Sequence, residues 1–381
     1  MALIASRKCS CLLKYMLAFL FLGGCVTYTT GYNAALPAVR EVLFEYPYFN
    51  DQVTGIAVSQ QGRIFVNFPR WDKDPLYSVA ELLPDGTLRP YPDNDWNRWG
   101  MDEANHPEAH FVCVQSVNVD ADDFLWILDP ASAGFKGVVP GGAKLVKVNL
   151  ASDTVERGIP FNGVIAPRNS HLNDVRVDPD GDYAYITDSG TGAVVVVDLS
   201  SGKSWRRLGD DPSTKAEPGY VPVIGGKELR DDSGRVPQIH ADGIALDATG
   251  DYLYYHALVA RTLYRIKTSA LKNTDITEEQ LAGLVEKVAD TGAVDGMLMD
   301  DNNLYLTVLE ENAIKRYRPE SDILDTIVQD ERIQWPDSMD ISPEGNLYFT
   351  ASQINRMPRF NYGRDERITP YNLFKIWLAT Y

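Results

Sequence analysis

Apolar and polar residues alternate with a period of two in six short blocks of the chain. Each block opens on a polar residue, passes through a triplet of alternating character, turns at Asp, Gly or Asn, and returns as a hydrophobic run. The blocks begin at Thr54 (TGIAVSQQGRIFV), Gln115 (QSVNVDADDFLWI), Asn173 (NDVRVDPDGDYAYIT), Asp242 (DGIALDATGDYLYY), Asp295 (DGMLMDDNNLYLT) and Asp337 (DSMDISPEGNLYFT). A period of two predicts strands, because successive strand side chains point to opposite faces, whereas a helix needs 3.6. The turns have the chemistry of hairpins. Block starts lie about 40 to 70 residues apart, room for one four-stranded unit and its loops. This repeat predicts an all-β, six-bladed β-propeller, whose closure leaves only short sheet edges and brings the block starts round one axial channel. The polar column is therefore expected at one channel mouth.

The segments between blocks complete this picture. Glu41–Tyr46 (EVLFEY) precedes the first block and Leu373–Leu378 (LFKIWL) follows the last, so the two are expected to pair and close the ring. Residues 205–239 carry Pro, Gly and charge without periodicity, as a flap over one face would. The run TEEQLAGLVEKV opens with a capping-box pair, Thr277 and Gln280, and predicts a short peripheral helix. Residues 41–381 are thus expected to form one propeller domain, preceded by a linker over 26–40.

The first 25 residues have another character. Arg7, Lys8 and Lys14 precede the apolar run YMLAFLFL, which is too short to span a bilayer, and Leu22-Gly23-Gly24-Cys25 follows. This order predicts an export signal. Its LGGC ending resembles a bacterial lipobox, which would leave Cys25 as a lipidated first residue; an ordinary secretory signal is the alternative. The expected location is periplasmic or outer-membrane-anchored, and otherwise extracellular, with the membrane met only through Cys25. Of four cysteines, Cys9 and Cys11 leave with the signal and Cys113 remains, so the mature chain has no internal disulfide. Cys113, in the apolar run FVCVQSV, is expected to fill core.

Charge narrows the partners. A formal net charge of −17 disfavours nucleic acid or anionic lipid, because phosphate contacts need clustered Lys and Arg. A small neutral or cationic molecule, or a divalent metal, suits the field. Other motifs dissolve on inspection. Gly202-Lys203-Ser204 has Val197 where a P-loop needs Gly, and Asp178, Asp180 and Asp182 form a hairpin turn with Gly too early for a calcium loop. Trp71, Trp96 and Trp99 are expected either to line the mouth or to cap the blade stack.

The order QSVNVDADDFLWILDPASAG, NDVRVDPDGDYAYITDSGTGAVVVVDLSSGKSWR, DGIALDATGDYLYYHALVARTLYRIKTSALKN and WPDSMDISPEGNLYFTASQINRM resembles the major royal jelly protein/yellow family. The resemblance implies a secreted six-bladed propeller with a ligand site at the channel end. Its insect members include royal jelly proteins, salivary binders of biogenic amines and proteins linked to dopachrome conversion. The insect disulfide cysteines are missing here, as in a bacterial-type branch. More distantly, the column resembles the metal ring of gluconolactonase/senescence marker propellers, which hold one divalent cation through a Glu, two Asn and an Asp. Asn173 and Asp295 match that pattern, Asp242 stands for the second Asn, and Thr54 replaces the Glu.

Asn173, Asp242, Asp295 and Asp337 together offer an amide oxygen and three carboxylates, a hard donor set suited to Ca²⁺ or another divalent cation. Alternatively these Asp residues accept backbone N–H groups and pin turns. Thr54, Gln115, Asn173 and Asp242 are the expected ligand-binding residues. His171 and His240 each stand two residues before the column, where a neutral imidazole can act as a general base. Two functions remain: a small-molecule binding protein, or a metal-dependent enzyme of lactonase or dopachrome-tautomerase-like type.

Overall fold

The structure is a computed structural model that describes residues 44–100 and 106–378. The expected export signal, Cys25 and the linker lie outside the described residues. Six antiparallel four-stranded sheets form the blades of a propeller. Their inner strands, in chain order, are Ile56–Val58, Ser116–Val119, Leu172–Val177, Ala241–Leu246, Val294–Asp300 and Pro336–Ile341. In blades one to five the chain runs outward from the inner strand through three successive neighbours. Blade six takes its outermost strand from the other end of the chain. Phe44–Phe49 pairs antiparallel with Tyr371–Trp377, in a register that sets Tyr46 opposite Leu373. This is the pairing expected of the two terminal runs.

Hydrophobic burial is distributed between blades instead of gathered at one centre. Ala57 and Phe65 of blade one pack against Val117, Leu125 and Ile127 of blade two. Tyr185 and Val196 of blade three meet Ile244 and Tyr255 of blade four. Phe49 and Leu373 of blade six meet Val66 and Phe68 of blade one, sealing the ring. At about 1.5–3 kcal/mol for each fully buried large side chain, such interfaces stabilise the ring by the same force six times over. Cys113 is a free thiol, fully buried beside Trp71 and Met357, and burial pushes its pKa up to about 12. It fills core, as its setting predicts.

The helix after Thr277 forms with both capping-box hydrogen bonds but spans only Glu278–Ala282. It stops early because Glu286–Asp290 pairs with Thr262–Lys267 as the outer strand of blade four. Sheet pairing there overrides the helical pattern of the sequence. Residues 205–239 contain a small hairpin, Val223–Ile224 with Lys227–Glu228. The segment is tied to blade five by Tyr220, whose hydroxyl donates to Glu310 Oε2 at 2.5 Å, and by the Val223 N–H, which donates to Glu310 Oε1.

Candidate functional site

In blades three to six the ladder between the inner strand and its neighbour slips at the same place, between Leu172 and Val175, Ala241 and Ile244, Val294 and Met297, and Pro336 and Met339. Asn173, Asp242, Asp295 and Asp337 are the first residues of these bulges. A bulge re-aims a side chain out of the pleat, which explains how polar residues inside apolar strands reach the axis. The residue after the column must often be small. A Cβ on Gly243 would lie 2.3 Å from the Asp295 carbonyl oxygen, and one on Gly296 only 1.9 Å from that of Asp337. Threonines on the second strands hold the bulges in place. Thr350 accepts from the Ser338 N–H and donates to the Thr54 carbonyl of the next blade at 2.5 Å, and Thr187 donates likewise to the Asp242 carbonyl.

Five of the six column residues line one cavity of about 190 Å³ at this end of the channel: Gln115, Asn173, Asp242, Asp295 and Asp337. Thr54 does not line it. Its side chain is fully buried, and its hydroxyl accepts from the Asn67 amide at 2.9 Å. His171 lines the cavity. Its Nε2 lies 3.3 Å from Gln115 Oε1, and Nδ1 has no partner. With Nε2–H donating to that oxygen, Nδ1 keeps its lone pair. Burial pushes the His171 pKa down to about 4, so the ring is neutral at physiological pH. His240 stands outside the lining, and its Nδ1 accepts from the Ala216 N–H at 2.9 Å, while its neighbours Gln238 and Ile239 reach the cavity.

Aromatic side chains make much of the wall. Trp71 stacks on Phe135 with ring centroids 5.3 Å apart, and Phe135 lies over His171 at 5.8 Å. Trp335 and Phe360 also line the space. Trp96 and Trp99 pack instead against the cores between blades one and two and between two and three. Phe135 and Trp335 both have φ near +55° (54° and 56°), an uncommon backbone state for bulky residues. Trp335 stands two residues before Asp337, the offset that places His171 before Asn173. That shared offset was the available signal for it. Phe135, Arg359 and Phe360 come from irregular loops and carry no comparable pattern.

The electrostatics are unusual. Burial, with the charge of the other carboxylates added to it, raises the pKa values of Asp242, Asp295 and Asp337 well above the ordinary range. Every charged group acting on these three is another carboxylate, including Asp174, the second bulge residue of blade three. After burial, the charge of Asp242 is the largest influence raising Asp295. The Trp335 indole N–H donates to Asp295 Oδ2 at 2.5 Å. Deeper in the channel Arg176 of blade three reaches across to the Met297 carbonyl of blade five at 2.7 Å. Its nearest contact with Asp174 is 3.9 Å. Among the described residues, no three His, Cys, Asp or Glu side chains are grouped closely enough to hold a metal ion.

Comparison with known proteins agrees with this architecture. Residues 112–374 match the family model described as major royal jelly protein. Major royal jelly protein 5 of Apis mellifera is 23% identical over 311 residues, covering 75% of this chain and 47% of that protein. The chain thus spans about half the length of the curated relative it matches. Among solved structures, the PQQ-bound aldose sugar dehydrogenase of Streptomyces coelicolor is similar with a TM-score of 0.53 at 10% identity, covering 88% of this chain and 97% of that one. A luciferin-regenerating enzyme gives 0.53 at 11% identity, over 89% and 95% of the two chains. A gluconolactonase from Xanthomonas campestris gives 0.52 at 13% identity, over 88% and 89%. At these identities the likeness is one of fold. With a family model matched over more than half of its residues, the chain belongs to the major royal jelly protein family.

Proposed function

We propose that the channel-mouth cavity binds a small organic cation with a flat apolar body. One observation carries this reading: three buried carboxyl groups, Asp242, Asp295 and Asp337, are raised by burial and by neighbouring carboxylates and open on a cavity walled by Trp71, Phe135, Trp335 and Phe360. Carboxylates gathered this way are costly to ionise unless a cation joins them. An ammonium group relieves that cost, and aromatic faces favour it further through their quadrupoles. Gln115 and Asn173 supply neutral hydrogen-bonding groups that orient a ligand without adding charge.

The test compares two probes of one shape. Phenethylamine carries an ammonium group and 2-phenylethanol carries a hydroxyl in its place. Calorimetry in two buffers of different ionisation enthalpy should show phenethylamine binding with proton release at neutral pH, because a bound cation lowers the raised carboxyl pKa values. The alcohol should bind at least about tenfold more weakly. Equal binding of both, or no proton release, overturns the reading.

A second reading, a divalent-cation-dependent enzyme of lactonase or tautomerase type, draws on the Asn173 amide oxygen and the same three carboxyls opening on one space. The gluconolactonase among the similar folds is in keeping with it. Among the described residues, however, no three His, Cys, Asp or Glu side chains are grouped closely enough to hold a metal ion. The organic cation is the better fit. We also propose export, with a lipid on Cys25, from the basic residues, short apolar run and LGGC order of the first 25 residues. Cys25→Ser should move the protein from the membrane to the soluble fraction; an unchanged distribution counts against the anchor.

A further inference from the structure

The cavity has a second electrical pole. Arg359 lines it, and its guanidinium carbon lies 4.2 Å from the centroid of the Phe135 ring and 5.1 Å from that of Phe360. The side chain makes no hydrogen bond or ion pair among the described residues. The residue as a whole is exposed while its guanidinium is partly desolvated by the groups around it, and the carboxylates that act on it are Asp231 and Asp232 of the 205–239 segment, not the three on the inner strands. A guanidinium held between two rings with its N–H groups uncommitted is a prepared anion partner. Trp71, 7% exposed, also lines the cavity and leaves its indole N–H without a partner. An uncommitted guanidinium thus occupies the loop side of a cavity whose axial side is acidic.

Resting on the binding reading above, we propose that the ligand is a zwitterion: an aromatic molecule bearing both an ammonium group and a carboxylate, as an aromatic α-amino acid does. Its ammonium pairs with Asp242, Asp295 and Asp337, and its carboxylate pairs with Arg359. The ring lies among Phe135, Trp335 and Phe360. A plain arylalkylamine satisfies only the acidic pole and leaves Arg359 unpaired. An aryl carboxylate meets the acidic pole with its apolar end and is the poorest ligand of the three.

Phenylalanine, phenethylamine and 3-phenylpropionate share one skeleton and separate these contributions. Calorimetric titration of the intact protein at pH 7 should rank them in that order. Arg359→Gln, which keeps much of the stem over the rings but removes the charge, should weaken phenylalanine by about tenfold or more and leave phenethylamine within about twofold, since one charge-assisted contact is lost for the first ligand only. Arg359→Lys should restore part of the difference. Melting curves of each variant establish that the fold is kept, which the exposed position of Arg359 favours. If phenethylamine binds as tightly as phenylalanine, or if Arg359→Gln weakens both alike, the zwitterion is excluded while the cation site stands. If neither amine binds, the cation reading itself has failed.

Discussion

Trp335 of blade six donates its indole N–H to Asp295 of blade five across the blade boundary at 2.5 Å. The indole is fully buried and its residue holds a positive φ of 56°. This one bond ties a loop of one blade to the bulge of the next and favours the ionised form of Asp295. Structure and charge at the cavity are therefore coupled through the Trp335 N–H.

Replacing that donor tests the coupling. Trp335→Phe removes the N–H and leaves a buried carboxyl without it, at a cost of about 1–3 kcal/mol. The Asp295 pKa should rise further, so that phenethylamine binding at pH 7 weakens and is recovered at higher pH. Melting curves and titrations at pH 7 and pH 9 measure both effects. A variant with unchanged binding at both values separates Trp335 from the charge of the site.

The pH dependence of stability has a defined sign. Asp242, Asp295 and Asp337 keep protons in the folded protein that the unfolded chain has already released, so their contribution falls as pH rises above the ordinary carboxylate range. His171 acts oppositely: with its folded pKa lowered to about 4 from 6.5, its contribution is present above 6.5 and lost as pH falls toward 4. Asp295→Asn isolates the first effect, since the amide oxygen can still accept from Trp335. The variant should melt roughly 2–4 °C higher than the parent at pH 8 for each kcal/mol of charge burial removed, and the gap should close toward pH 5. A constant gap across that range would mean that Asp295 is not the strained carboxyl.

The repeat and the propeller were readable because two kinds of pattern agreed: a period of two in every inner strand and hairpin turns at a fixed distance after it. The column was readable for a related reason, since Asn173, Asp242, Asp295 and Asp337 are polar residues at one offset in otherwise apolar strands. Thr54 shares that offset but not the environment, because Asn67 on the neighbouring strand takes up its hydroxyl. His240 shares the offset of His171, yet the 205–239 segment supplies the Ala216 N–H that engages its ring. Phe135 and Arg359 meet only through tertiary packing of separate loops, and neither periodicity nor spacing encodes such a contact.

The glycines after the column set the distance between bulges. Gly296→Ala would bring a Cβ to 1.9 Å from the Asp337 carbonyl oxygen, and backbone cannot give way as a side-chain end does. Separating blades five and six should cost about 1–3 kcal/mol or more and enlarge the gap between Asp295 and Asp337. Gly158→Ala, on the outer strand of blade two with nothing within 4 Å of the added carbon, is the control and should be close to neutral. Comparable losses in both variants would point to a general intolerance of the strands and not to close approach at the bulge.

Divalent cations provide the sharpest separation of the two functional readings. A ligand that binds only the native state stabilises it by mass action, about 2.7 kcal/mol at one hundred times its dissociation constant. Protein freed of metal by chelation and dialysis should therefore melt higher with phenethylamine, in proportion to the logarithm of its concentration once well above saturation. Ca²⁺, Mg²⁺ and Mn²⁺ at millimolar levels should do no more than NaCl of equal ionic strength, because among the described residues no three His, Cys, Asp or Glu side chains are grouped closely enough to hold a metal ion. The amine shift should shrink in Asp295→Asn and in Asp242→Asn alike, since each removes charge from the same cluster. If instead Ca²⁺ raises the melting temperature logarithmically and Asp295→Asn abolishes that rise, the carboxyls must separate to admit an ion, and the metal-dependent reading takes precedence over the organic cation.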